Sequence, residues 1–147
     1  MKPMLPLVNV HGVRGPRRKW AIASVLAAMT LVVLDAAIAN IALPSISASL
    51  QTSAAAAVGI VTAYQLGVIV GLLPAAALGE SLGFRMVFIA GALLFTIASG
   101  LCALSSSLDW LLAARFVQGL GGAGVLALGI ALLRFIVPPD RLGTAIG

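Results

Sequence analysis

Asp35 and Arg115 stand out in this sequence because each is a charged side chain set within a long apolar run. A charge near the middle of a membrane-spanning helix costs roughly 2.5–3.5 kcal/mol on insertion scales, so it is rarely found without a partner or a task. A carboxylate there can bind and release a proton. A neighbouring guanidinium favours the ionised carboxylate, while removal from water favours the protonated one, so a partner that moves can switch the site. The depths agree with a partnership. At 1.5 Å per residue Asp35 stands about 22 Å above Trp20, where its apolar run begins. Counting down from Trp110 through a core roughly 30 Å thick, Arg115 reaches about the same height. The sequence supports two readings of the pair: an ion pair that fixes helix packing, or a proton-coupling site.

Other residues share faces with this pair. Arg115, Gln118, Gly119 and Gly122 follow one another at i, i+3, i+4 and i+7, which is one face of a helix. Polar groups and glycines on that face suit a helix that looks into a bundle and approaches a neighbour closely. Thr62 and Gln65 share a face of an earlier run and are expected to line the same cavity, whereas Gly67 and Gly71 form a small-residue packing strip. Enzyme chemistry finds no footing: there is no Ser/His/Asp arrangement, no metal-ligand cluster and no phosphate-binding glycine loop. No cofactor is expected. Cys102 has no thiol partner and is read as a small buried hydrophobe, and His11 is given no role.

Four apolar runs are the elements that must position these groups. Of the 147 residues 61% are hydrophobic and 9% charged, with a mean hydropathy of +1.16. A soluble domain carries roughly 25% charged residues to face water, so this chain needs lipid around it. The runs cover about 20–43, 54–78, 86–104 and 110–137, each near the roughly 20 residues that cross a bilayer as a helix. The first is too long for a signal-peptide core and is expected to end at Pro44. Residues 1–19 read as a basic cytoplasmic tail, and 138–147 as a cytoplasmic loop with the start of a fifth helix. The fold class is therefore all-α, a polytopic membrane bundle of four helices. Lys2, Arg14, Arg17, Arg18 and Lys19 precede the first span, Arg85 lies between the second and third, and Arg134 and Arg141 lie at or beyond the end of the fourth. The positive-inside rule places both ends in the cytoplasm. The net charge of +5 is concentrated in that tail, which suits topology or anionic headgroups better than nucleic acid.

Three ordered stretches carry a family resemblance. Leu34 to Pro44, reading LDAAIANIALP, resembles the first-helix pattern LDxTIVNVALP of drug:proton antiporters in the fourteen-helix branch of the major facilitator superfamily. Leu111 to Ala123, LLAARFVQGLGGA, resembles that family's fourth-helix pattern LxxxRxxQGxGAA. Leu78 to Arg85 sits where the family has its loop signature GxLADRxGRR, and Val61-Thr62-Ala63-Tyr64 matches the branch's second helix. The resemblance runs from about Trp20 to the end and implies a multi-pass inner-membrane antiporter for drugs or small solutes and protons. Four helices would then form one three-helix repeat and the start of the next.

The loop signature departs from its pattern. Ala76 replaces its leading glycine, and Glu80, Ser81 and Phe84 replace Asp, Arg and Arg, leaving Gly79, Gly83 and Arg85. In the family this loop latches the cytoplasmic gate through charge pairs; here it is expected to supply a tight turn and an orientation signal. Ala37 and Ala39 replace Thr and Val in the first pattern. The resemblance implies partners for these helices, either further C-terminal helices or a second copy of the chain. The alternatives are a complete four-helix homodimeric exporter and a truncated membrane protein that transports nothing.

Overall fold

The computed structural model describes residues 16–136, which form four helices and no strands. They are α1 (Pro16–Ser49), α2 (Ala54–Leu82), α3 (Phe84–Ala103) and α4 (Leu108–Ile136). All four are long and apolar enough to cross a membrane. His11 and the basic tail up to Arg14 lie outside the described residues, as do Arg141 and the expected start of a fifth helix.

α1 and α2 outrun their apolar stretches, because hydropathy marks the hydrocarbon layer whereas the hydrogen-bonded ladder can continue into the headgroups. At 34 residues α1 is about 51 Å long. Contrary to the expected stop, α1 continues through Pro44 to Ser49. Proline removes one N–H from the ladder, but a helix survives this where neighbouring side chains satisfy the freed groups. The bond lost here is the one to the Asn40 carbonyl; beyond it the Ser47 hydroxyl donates to the Pro44 carbonyl at 2.9 Å and that of Ser49 to the Ile46 carbonyl at 3.0 Å, which adds bonds to the last turns of α1. α2 likewise passes through Pro74 and reaches Leu82 rather than stopping near residue 78.

Short connections force antiparallel neighbours. Between α2 and α3 only Gly83 intervenes, at φ +98°, a conformation open to glycine and strained for other residues. Ser53 caps α2, its hydroxyl accepting from the Ala56 N–H at 3.1 Å. α4 is the hub: it packs most extensively on α2 and α3 and more lightly on α1. Glycine makes that closeness possible. A Cβ on Gly67 would collide with the Phe116 carbonyl, and one on Gly119 with the Tyr64 carbonyl. The α3–α4 seam has its own pair: a Cβ on Gly121 would come within 2.8 Å of the Gly91 carbonyl oxygen. Tyr64 donates to the Val32 carbonyl at 3.5 Å across α1 and α2. One apolar core gathers Val25, Val32, Phe88, Val125, Leu128 and Leu133 below the charged centre; a smaller one, with Ala57, Ile60 and Leu111, closes the other end. Large apolar side chains such as Leu31, Ile41, Ile69, Leu73 and Ile97 point outward, where lipid or further helices must cover them.

Candidate functional site

Between the two cores three polar side chains form a closed ring. Arg115 Nη1 donates to Asp35 Oδ2 at 2.7 Å and also to Gln118 Oε1 at 3.0 Å. Gln118 Nε2 in turn donates to Asp35 Oδ1 at 3.0 Å. Both carboxylate oxygens of Asp35 therefore hold a donor from α4. The helical spacing of Arg115 and Gln118 is the cause, since residues three apart lie on one face and together span a carboxylate. Gln118 is fully buried, and the side chains of Arg115 and Asp35 are 11% and 22% exposed. In such surroundings the attraction within an ion pair offsets its desolvation best when the remaining polar groups are also satisfied. One is not: the Nε of Arg115 is buried and has no hydrogen-bond partner among the described residues.

Cys102 joins the ring from α3. Its thiol lies 3.6 Å from Gln118 Oε1 and serves as a weak donor, so it is more than the small hydrophobe expected of it. Nothing in the sequence marked this contact, because the pairing of α3 with α4 is a matter of register in space. Cys102, Ser99 and Ser105 line a cavity of about 340 Å³ together with Asp35, Arg115 and Gln118. That volume falls at the lower end of ligand-sized pockets. On the α1–α2 side, Arg115 also borders a space of about 50 Å³ with Asn40, Tyr64 and Gln65. Arg115 thus lines both cavities.

Gln65 borders both that small space and a larger, mainly apolar one of about 320 Å³ with Val32, Tyr64 and Ile69. Thr62 does not join it. That side chain is exposed, and its hydroxyl donates back to the Val58 carbonyl at 3.2 Å. The two positions differ by about 60° around α2, enough to turn one away from the crevice that the other lines. Gly71 packs on Ala123 and Leu120, and Gly122 faces the Tyr64 hydroxyl and Val32. In the loop motif Gly79 is wedged against Leu128 and Phe84, while Glu80 and Arg85 are exposed and form no ion pair with one another.

Four apolar helices closed around a buried charged ring define a polytopic membrane bundle of the kind that holds a charge at mid-span. The family model of the Major Facilitator Superfamily matches residues 25–147, and the chain belongs to that family. It is similar to the uncharacterized transporter YebQ of Escherichia coli K12, 38% identical over 143 residues, which cover 97% of this chain and 31% of that protein. The putative multidrug resistance protein MdtD of Pectobacterium carotovorum is 38% identical over 123 residues, covering 84% and 26%. A probable actinorhodin transporter of Streptomyces coelicolor is 34% identical over 131 residues, covering 88% and 23%. The chain spans less than a third of the length of these relatives. No solved structure matches it significantly.

Proposed function

We propose that these four helices belong to a proton-coupled exporter of small organic solutes in a bacterial inner membrane, with the N-terminus in the cytoplasm. The ring of Asp35, Arg115 and Gln118 beside a 340 Å³ cavity carries this reading. A proton on Asp35 neutralises the charge that Arg115 and Gln118 hold, so proton binding and separation of α1 from α4 favour one another. A solute entering the cavity competes for the same donors. Proton and solute then act on one α1–α4 contact, which is the requirement for coupling. The relatives' names, a putative multidrug resistance protein and a probable actinorhodin transporter, support small organic cargo. Cytoplasmic placement of the α2–α3 turn is supported by Arg85, since the turns from α1 to α2 and from α3 to α4 carry no Lys or Arg.

The test uses the full-length transporter in inverted vesicles with a pH series and matched expression. Asp35→Asn is expected to abolish solute uptake driven by the proton gradient while the protein still inserts. Uptake with unchanged pH dependence in that variant would reduce the ring to a packing device.

A further inference from the structure

We propose that the groove at the α2–α3 turn binds an anionic phospholipid, with its phosphate on Arg85 and an acyl chain along α3. The groove has a volume of about 690 Å³ and is walled by Leu82, Met86, Ile89 and Leu132, with Arg85 at its rim. Leu82, Met86 and Ile89 are exposed, at 57%, 66% and 46%. Arg85 is exposed too and has no ion-pair partner among the described residues.

Depth decides what such a groove meets. α3 has 20 residues and is about 30 Å long, which equals the hydrocarbon thickness. Its second residue, Arg85, therefore lies at the boundary with the headgroups, and Ile89 lies about 6 Å deeper. A cation at the boundary above an apolar channel that descends into the hydrocarbon matches the two halves of a phospholipid. Nearby charges sharpen the preference for an anionic one. Glu80 is two residues from Leu82, so it points about 200° away around α2 and does not line the groove. Among the described residues the groove's lining thus presents one charge, that of Arg85. A zwitterionic headgroup brings its own ammonium to that phosphate and gains less from Arg85. This site stands apart from the Asp35 ring and does not depend on transport.

Native mass spectrometry of the delipidated full-length protein tests it, titrating phosphatidylglycerol against phosphatidylcholine of the same chains. A basic side chain near the surface is worth about 1 kcal/mol toward anionic lipid, so the first phosphatidylglycerol should bind about fivefold more tightly. Arg85→Gln is expected to erase that preference and Arg85→Lys to keep it. Arg134→Gln should leave most of it, because Arg134 is turned about 200° from the groove-lining Leu132. Ile89→Trp, which fills the apolar channel and keeps the charge, should weaken the first adduct and serves if Arg85→Gln does not accumulate. Inorganic phosphate in excess should not displace the lipid. An undiminished preference in Arg85→Gln, or an equal loss in Arg134→Gln, would overturn the proposal. So would tight first-adduct binding in Ile89→Trp, as expected if another helix of the full-length protein fills the groove.

Discussion

Gln118 stands between Asp35 and Arg115 with its amide poled in one direction, Nε2 donating to the carboxylate and Oε1 accepting from the guanidinium. The polarity leaves Asp35 as acceptor at both oxygens. A substitution is therefore judged by whether it keeps every donor facing an acceptor, as well as by charge and shape.

Asp35→Asn breaks that rule. If its carbonyl takes the bond from Arg115, its amide faces the Nε2 of Gln118, donor against donor; turning Gln118 over only moves the clash to Arg115. Losing a bond to a charged group of this kind costs about 1.5–3 kcal/mol. Adding Gln118→Glu restores an acceptor opposite each donor and moves the carboxylate to α4. The double variant is expected to recover most of the melting temperature lost by Asp35→Asn, as measured in detergent. A double variant no more stable than the single would show that the hydrogen-bond polarity does not matter.

Glycine at the helix seams separates close approach from open surface. Gly119→Ala places a methyl against the Tyr64 carbonyl, and the backbone of α4 must shift to admit it. Overpacking of this kind costs about 1–3 kcal/mol. Gly100→Ala on α3 meets nothing within 4 Å and should be neutral or stabilising by about 0.5–1 kcal/mol through helix propensity. Thermal unfolding of the two alanine variants should therefore shift in opposite directions or differ widely, and similar shifts would deny the tight α2–α4 seam.

How much of this was legible depends on whether a signal is local. The apolar runs gave four helices because crossing lipid needs length and hydropathy, which are read along the chain. Asp35 and Arg115 stood out for the same reason, and their common depth followed from helix rise alone; their charged groups lie 2.7 Å apart. What failed to show was set by neighbours in space. Pro44 looked like a stop because propensity is set by helices in water, whereas one lost bond, to the Asn40 carbonyl, does not end a 34-residue membrane helix. Cys102 looked inert because its contact with Gln118 needs the register of α3 on α4. Thr62 and Gln65 looked alike on a helical wheel, but the crevice against α1 admits only Gln65.

The proposed topology can be read by labelling single cysteines in a Cys102→Ala background of the full-length protein. Ser106 in the α3–α4 turn and Ser81 at the end of α2 are both exposed. A membrane-impermeant maleimide added to intact cells should label Ser106→Cys and spare Ser81→Cys, with the pattern reversed in inverted vesicles. Labelling of Ser81→Cys from outside would invert the orientation.

Arg115 gives the last prediction, because one of its nitrogens does the work of two. Nη1 alone serves both Asp35 and Gln118, while the buried Nε has no partner among the described residues. Lysine offers three donors on one nitrogen and puts a methylene where Nε lies, so Arg115→Lys can keep one or both bonds and removes the orphaned donor. Its reach is about one bond shorter, which α1 and α4 can partly absorb where Asp35 remains partly exposed. Arg115→Ala instead strands the carboxylate, and breaking a buried pair from one side costs about 3–5 kcal/mol. The order of stability is expected to be wild type, then Arg115→Lys within about 1–2 kcal/mol by the usual spread of single substitutions, then Arg115→Ala. Adding Asp35→Asn to Arg115→Ala should recover part of the loss, because the stranded charge is gone, and the double-mutant cycle measures the coupling of the pair. Thermal unfolding in detergent at matched lipid content decides. Arg115→Lys as unstable as Arg115→Ala would mean that the planar guanidinium, and not the position of one nitrogen, holds α1 to α4.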